Sequence, residues 1–319
     1  MRTLSTILLS LLLVLPIAAP AASVGQAADW LQAKDPRAGA AIAALAKAQP
    51  RSPDVQVLRT RLLLQQGKAA DAIDAAERAV SLGPENAQAH YWLGNAYGQR
   101  LGEVGILRQA VMAPKLRDAF LRALELDPAI HEARLNLMEY YLQAPEFAGG
   151  SVAKARAQAA ELARRDPPRG HYARGRLATH EGDAAAATKA YVAAYAARPE
   201  NKAYRLAAGL AYQQAQQWAE AFALFSAWTR EDPSAAGAWY QIGRTAALSG
   251  QFLSEGEHAL RRFLALPAAA GEPPRPHAWY RLGQVQVQAG AKDAARISFE
   301  QAIKGDPANT DFKAALAAL

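Results

Sequence analysis

Proline recurs along this chain at Pro50, Pro84, Pro128, Pro167, Pro199, Pro233, Pro267 and Pro307, at intervals of 34, 44, 39, 32, 34, 34 and 40 residues. Each follows an apolar helix end. Proline lacks a backbone donor and drives the preceding residue out of the helical region, so each of these positions ends a helix. A second series agrees with the first: Gly94, Gly175, Gly209, Gly243 and Gly283 are spaced 34, 34 and 40 after Gly175, tracking the proline intervals over the same units. Two independent series with one period make this a chain of repeated units, lengthened in places by insertions.

The residues between the markers repeat as well. HYWLGNAY (90 to 97) returns as HYARGRLA (171 to 178), RLAAGLAY (205 to 212), WYQIGRTA (239 to 246) and WYRLGQVQ (279 to 286). Behind each comes a second stretch of small residues with one large one, as in Ala187, Tyr191, Ala194, Pro199, in Ala221, Phe225, Trp228, Pro233 and in Ala295, Phe299, Ala302, Pro307. Alanine-rich segments such as DAAAATKAYVAAYAARP (183 to 199) are strong helix formers, and no run of five residues alternates as a strand would. A helix pair of this length buries one side only, so its neighbours must cover the other. Small residues let the helix axes approach, and Trp92, Trp239 and Trp279 fill the gaps between them.

This period and pattern resembles the tetratricopeptide repeat family, in which two antiparallel helices form each unit. The resemblance covers nearly all of the chain after its first segment. It implies an all-α fold, an α-α superhelix (a tetratricopeptide solenoid) of about seven helix-turn-helix repeats with terminal capping helices. Residues 23–52 read as an N-terminal partial repeat or cap. Full units start near 53, 87, 131, 168, 202, 236 and 276 within an array over 53–309, and 310–319 reads as a closing helix. The first full unit departs most: its first helix, VQVLRTRLLLQQG, lacks the aromatic and glycine positions.

Residues 1–22 stand apart. Arg2 precedes an apolar run from Ile7 to Ala19, and Ala19-Pro20-Ala21 fits a small-residue cleavage site. The run falls short of the roughly 20 residues of a membrane span, so the expectation is a removed secretory signal peptide with no stable transmembrane anchor. Export to a periplasm follows, with release from the cell as the alternative. The chain has no Cys, so packing alone must stabilise it in an oxidising compartment. The net charge of +7 is spread without a run of five like charges, and export makes nucleic acid an improbable partner.

Two regions are candidate binding surfaces. By resemblance, first helices line the concave face, where Tyr91, Tyr172, Tyr240 and Tyr280 are each followed four residues later by Asn95, Arg176, Arg244 and Gln284 on one helix face. Such a ladder suits an extended peptide, through stacking and hydrogen bonds to carbonyls or acidic groups. The Lys and Asn arrangement by which some members clamp a C-terminal carboxylate is missing, since Val57, Tyr91 and Leu135 hold the corresponding positions. The second region is the insertion edge, about ten extra residues in GQRLGEVGILRQAVMAPKLRDAF (98 to 120). It reads as a short extra helix or hairpin, with Ile106, Leu107, Val111 and Met112 either packed back on the neighbouring unit or offered to a partner. In APEFAGGS (144 to 151), Gly149 and Gly150 allow positive φ and Ser151 can cap the next helix.

Enzyme signatures fail. His131-Glu132 is followed by Ala133, Arg134 and Leu135, so no HExxH zinc site exists, and neither GxSxG nor a phosphate-binding GxxxxGK[ST] occurs. His90 and His171 stand at the repeat's Trp position and read as packing residues. No metal and no cofactor is expected. The expected function is an exported scaffold or adaptor binding a protein or peptide partner in the cell envelope. The alternative is a non-catalytic accessory subunit of an envelope biogenesis enzyme complex.

Overall fold

The computed structural model describes residues 22–269 and 271–319, and among them the chain is helical without a β-strand. The expected signal segment lies outside the described residues except for Ala22. No described helix is long and apolar enough to cross a membrane. The chain divides into two compact units, residues 1–133 and 134–319. The first holds α1 (Val24–Gln32), α2 (Arg37–Ala48), α3 (Pro53–Gln65), α4 (Ala69–Leu82), α5 (Ala87–Leu101) and α6 (Ile106–Leu126). The second starts within α7 (His131–Gln143) and continues with a 3₁₀ turn at Glu146–Ala148, then α8 (Val152–Arg165), α9 (Pro167–His180), α10 (Ala184–Ala197) and α11 (Lys202–Gln214). It ends with α12 (Trp218–Glu231), α13 (Ala236–Ser249), α14 (Leu253–Ala265), α15 (Arg275–Gln288), α16 (Lys292–Gly305) and α17 (Thr310–Ala317).

Local chemistry sets these boundaries. Gly83, Asp127, Asp166, Arg198, Asp232 and Asp306 each precede a proline and leave the helical region, with φ between −148° and −135° and ψ between 73° and 97°. Four of them are aspartates whose carboxylates accept backbone N–H bonds just beyond the break, from Ala129, Arg169, Ser234 and Ala308. Helices then restart on caps: Ser23, Ser52, Asn86, Asp183, Asn201 and Asn309 accept from the first-turn amides. Six of the turns inside pairs hold a left-handed residue, Gly67, Gly182, Gly250 and Gly290, with Lys34 and Gln216 in equivalent places; the α13–α14 turn adds Phe252, and the α5–α6 turn has none.

Within a pair, helices close on a seam of two facing positions. Where the first helix carries glycine, the second carries a ring or leucine directly above it. A Cβ added at Gly94, Gly175, Gly209, Gly243 or Gly283 would come within 2.5, 2.6, 2.3, 2.2 and 2.4 Å of Phe120, Tyr191, Phe225, Leu260 and Phe299 respectively. Where glycine is missing, the sizes exchange. Buried Thr60 and Met138 take the first-helix position, and buried Ala76 and Ala159 take the second. This accounts for the first full unit, which lacks glycine and yet forms α3 and α4 normally. Residues 23–52, expected as a partial repeat, form the complete pair α1 and α2, with Ala27, Leu31, Ile42 and Leu45 in one core cluster with Val55 and Leu58 of α3.

Successive pairs are pinned by a recurring glutamine. Gln65, Gln99 and Gln288, each near the end of a first helix, donate to Leu31 O, Leu64 O and Ala247 O of the preceding first helix at 3.1, 3.3 and 2.8 Å. These carbonyls sit at helix C-termini, where no intrahelical donor remains.

The insertion differs from expectation. It adds no separate helix or hairpin; its residues extend α6 at the N-terminus to 21 residues, with Pro114 inside the helix. The alternative of packing back fails as well, because Ile106, Leu107 and Val111 are 75%, 82% and 66% exposed. Gln109 explains the reversal: its side-chain amide donates to Leu101 O and Val104 O, both at 3.0 Å, turning the polar side inward and the apolar side out. In the 144 to 151 stretch, Gly149 has φ 94° and Ser151 caps α8 by accepting from Lys154 N at 3.3 Å. Gly150 is required for space, since a Cβ there would lie 1.8 Å from Ala144 O.

The size exchange predicts a double-mutant outcome. Ala159→Phe alone should cost about 2 kcal/mol by overpacking, and adding Met138→Gly should recover most of that loss in urea denaturation. Simple addition of the two costs would refute the shared seam.

Candidate functional site

Repeat register decides which side chains share a face. On each first helix the residue three before the seam position and the residue one after it lie four apart, on one side. In the 134–319 unit the earlier series is Leu135, Tyr172, Leu206, Tyr240 and Tyr280, and the later is Glu139, Arg176, Leu210, Arg244 and Gln284. The structure brings members of these series together as neighbours on successive pairs.

Arg176 is fixed by an acid from the preceding pair. Its Nε and Nη2 donate to the two carboxylate oxygens of Glu139 at 2.6 and 2.7 Å. Those hydrogen bonds hold the guanidinium well above the usual arginine range. With 36% and 22% of the two side chains exposed, the pair contributes about 1 kcal/mol or less, so its main consequence is a fixed position. Tyr172 beside it stacks on Tyr204, with centroids 5.1 Å apart, and meets Tyr191 edge-on at 5.5 Å. Burial pushes its phenol up, so it remains a neutral hydrogen-bonding group at physiological pH.

Next to this pair α9, α10 and α11 enclose a cleft of about 370 Å³, lined by Tyr172, Arg176, Thr179, Leu206, Leu210 and Gln214 among others. Leu206 and Leu210, four apart on α11, each keep 36% of their surface in water. Tyr191 and Ala187 of α10 form its inner wall.

One pair further on the chemistry changes. Arg244 donates to the Oε1 of Gln213. Gln213 is 3% exposed and donates in turn to Gln241 O at 3.1 Å and Thr245 Oγ1 at 2.8 Å. Arg281 donates to Gln284 Oε1 at 2.8 Å and lies over the Tyr280 ring at 5.7 Å. Desolvation lowers the pKa of Arg244, and the like charge of Arg281 lowers it further.

The tyrosines are divided in their service. Tyr240 is 8% exposed and meets Phe263 edge-on at 5.5 Å, so its ring belongs to the core. Tyr280 packs between Phe299 at 5.9 Å and Phe312 of α17 at 4.9 Å. In the 1–133 unit Tyr91 lies 5.1 Å from Trp92 and 6.2 Å from Phe120, and Asn95 donates to Tyr91 O at 2.8 Å. At Tyr91, Tyr172 and Tyr280 the residue one turn before the seam reaches the same second-helix side chain that the seam position meets, whereas Tyr240 meets Phe263 and its seam glycine Leu260. Ile106, Leu107 and Met112 of the expected insertion edge lie in this same unit, with Met112 half-buried.

Sequence reasoning passed over Glu139, Leu206, Leu210, Gln213 and Arg281. The first three stand in the register of Arg176 and Tyr172 and were open to discovery by counting from the seam. Among the described residues no group of three or more His, Asp and Glu side chains could hold a metal ion.

A tetratricopeptide repeat profile matches residues 57–103, 172–236 and 240–310, more than half of the chain. The chain belongs to the tetratricopeptide repeat family. As a tetratricopeptide repeat protein, it has the build of a scaffold for protein–protein interaction. No curated protein matches its sequence. Among solved structures, a tetratricopeptide repeat protein from Parabacteroides merdae is 14% identical at a TM-score of 0.50, over 83% of this chain and 97% of that one. Pseudomonas aeruginosa PilF is 16% identical at 0.52, over 73% and 97%. The human IFIT1 dimer solved with m7Gppp-AAAA is 14% identical at 0.57, over 92% and 70%. At such identities the likeness is one of fold alone.

The Gln213 network makes a stability prediction for this tetratricopeptide repeat protein. Gln213→Leu strands Arg244 and removes the donor to Gln241 O and Thr245 Oγ1, which keep only their bond to one another, and should cost about 1–3 kcal/mol in urea denaturation. An unchanged midpoint would mean that the network contributes nothing.

Proposed function

We propose that this tetratricopeptide repeat protein is a non-catalytic scaffold of the cell envelope that captures an extended segment of a protein partner in the groove of its 134–319 unit. The observation that carries this reading is the cleft. Two leucines, Leu206 and Leu210, stay partly in water on the groove face, next to Tyr172 and an Arg176 already fixed by Glu139. Apolar surface beside pre-positioned hydrogen-bonding groups is what a bound side chain needs, since little ordering remains to be done on binding. The lack of a catalytic motif supports the non-catalytic part, and the signal-like residues 1–22 support export.

A second reading has its own observation. Ile106, Leu107 and Val111 form an exposed apolar stripe on α6, which suits a scaffold held by that edge, for instance as accessory subunit of an envelope biogenesis enzyme complex.

Capture of envelope proteins separates the two. Leu206→Glu/Leu210→Glu should reduce recovery of the partner at least tenfold with helicity unchanged, while Ile106→Ser/Leu107→Ser/Val111→Ser should leave it intact. The reverse pattern would move the site to the α6 edge. Export has a separate check: N-terminal sequencing of the protein from a periplasmic fraction should start near Ala22, and recovery of an intact Met1 in the cytoplasm would remove the envelope from the proposal.

A further inference from the structure

The groove of the 134–319 unit is electrostatically uneven. At one side Arg176 is neutralised by Glu139, and elsewhere in the unit Arg205 is held by Glu231 and Arg198 by Asp166. Among the described residues neither Arg244 nor Arg281 has such an acid. Each donates to a neutral amide, Gln213 for Arg244 and Gln284 for Arg281. Glu257, on the neighbouring α14, is engaged by Arg261 at 2.7 Å and by Gln286 at 3.1 Å.

Register brings the two cations together. Arg244 and Gln284 hold the same position in successive pairs, as Glu139 and Arg176 do, and in that earlier case the side chains touch at 2.6 Å. Gln284 accepts from Arg281 at 2.8 Å, so that guanidinium is bound to the residue that stands next to Arg244 in register. Both arginines are half-buried. Two like charges held together with only amide partners are a site for an anion, because a carboxylate between them would remove the repulsion and accept from both forks. Burial and the like charge of Arg281 both act to lower the pKa of Arg244, consistent with an uncompensated pair.

Arg244 stands one pair away from the leucines of the cleft and Arg281 two pairs away. First helices of neighbouring pairs lie about 10 Å apart, and an extended chain advances about 3.3 Å per residue, so a carboxylate between the two cations is about four to five residues from the cleft along a bound strand. We infer that Arg244 and Arg281 receive an acidic side chain of the partner segment, and that the cleft at Leu206 and Leu210 receives an apolar side chain about four to five residues from it. This inference rests on the groove reading above and adds to it the chemistry and spacing of the ligand.

The test uses the purified full-length protein and fluorescein-labelled dodecapeptides of Gly and Ser carrying one Leu and one Glu, in both orders and at separations of one to six. Anisotropy should show the tightest binding at a separation of about four to five. Glu→Gln in the best peptide should weaken it about tenfold, and Arg281→Gln in the protein should abolish that discrimination. Arg281→Gln removes one bond to an amide and the cation over the Tyr280 ring and should lower the thermal midpoint by about 2 °C or less; Arg244→Lys is a second variant that keeps the charge but loses the planar fork. Arg261→Ala, outside the groove, should leave binding unchanged. If Leu-containing peptides bind equally with Gln in place of Glu, and remain sensitive to Leu206→Glu/Leu210→Glu, the groove reading stands and the acidic partner is refuted. If no peptide of the set binds, both are refuted.

Discussion

An exchange of sizes across the seam of the helix pairs is what the rest of the structure depends on. In five pairs a glycine lies under a ring or leucine, from Gly94 under Phe120 to Gly283 under Phe299; in two others a larger buried first-helix residue stands in register with a buried alanine. Close-packed interiors tolerate neither a void nor an extra methyl, so the two positions vary together although they lie on different helices. With the seam filled, the helices of a pair are held at one separation, and successive pairs can stack on a common register.

Register carries this constraint to the surface. The glutamines that donate to the preceding helix ends hold successive first helices in step, so residues at one repeat position come within hydrogen-bonding reach. Glu139 and Arg176, at one repeat position of successive pairs, are 37 positions apart in sequence and 2.6 Å apart in space. The same geometry places Leu210 between Arg176 and Arg244 along the face. A repeat fold thus turns a sequence of single substitutions at one position into an ordered row of acid, base, apolar group and base.

That row has a chemical direction. Its first acid and base satisfy one another; its later bases find only amides. Folding alone offers no reason to leave two half-buried arginines without a carboxylate, since the desolvation they suffer is unrepaid in the isolated chain. The α6 edge shows a comparable reversal: Gln109 is spent on loop carbonyls while Ile106 and Leu107 face water. Sites where local rules are broken in an otherwise regular array are the places where binding is to be sought.

Much of the fold was legible from spacing. Proline after aspartate or glycine and cap residues before most first helices act through bonds within a few residues, and so the helix boundaries follow from local chemistry. The candidate site was legible only in part. Tyr172, Arg176 and Arg244 were found from the repeated motif, whereas Glu139 and Leu210 carry no motif of their own and become visible only when counted in register. Which tyrosines face the groove was decided by packing: Tyr240 is drawn into the core by Phe263, and Tyr280 is covered by Phe312 of the closing helix. The outward turn of Ile106, Leu107 and Val111 likewise depended on Gln109 finding two loop carbonyls. The sequence by itself determined the period, the helices and the seam, because these rest on local backbone preferences and on one recurring pair of sizes. Only the tertiary structure decided which charges cancel, because that depends on distances between side chains of different repeats.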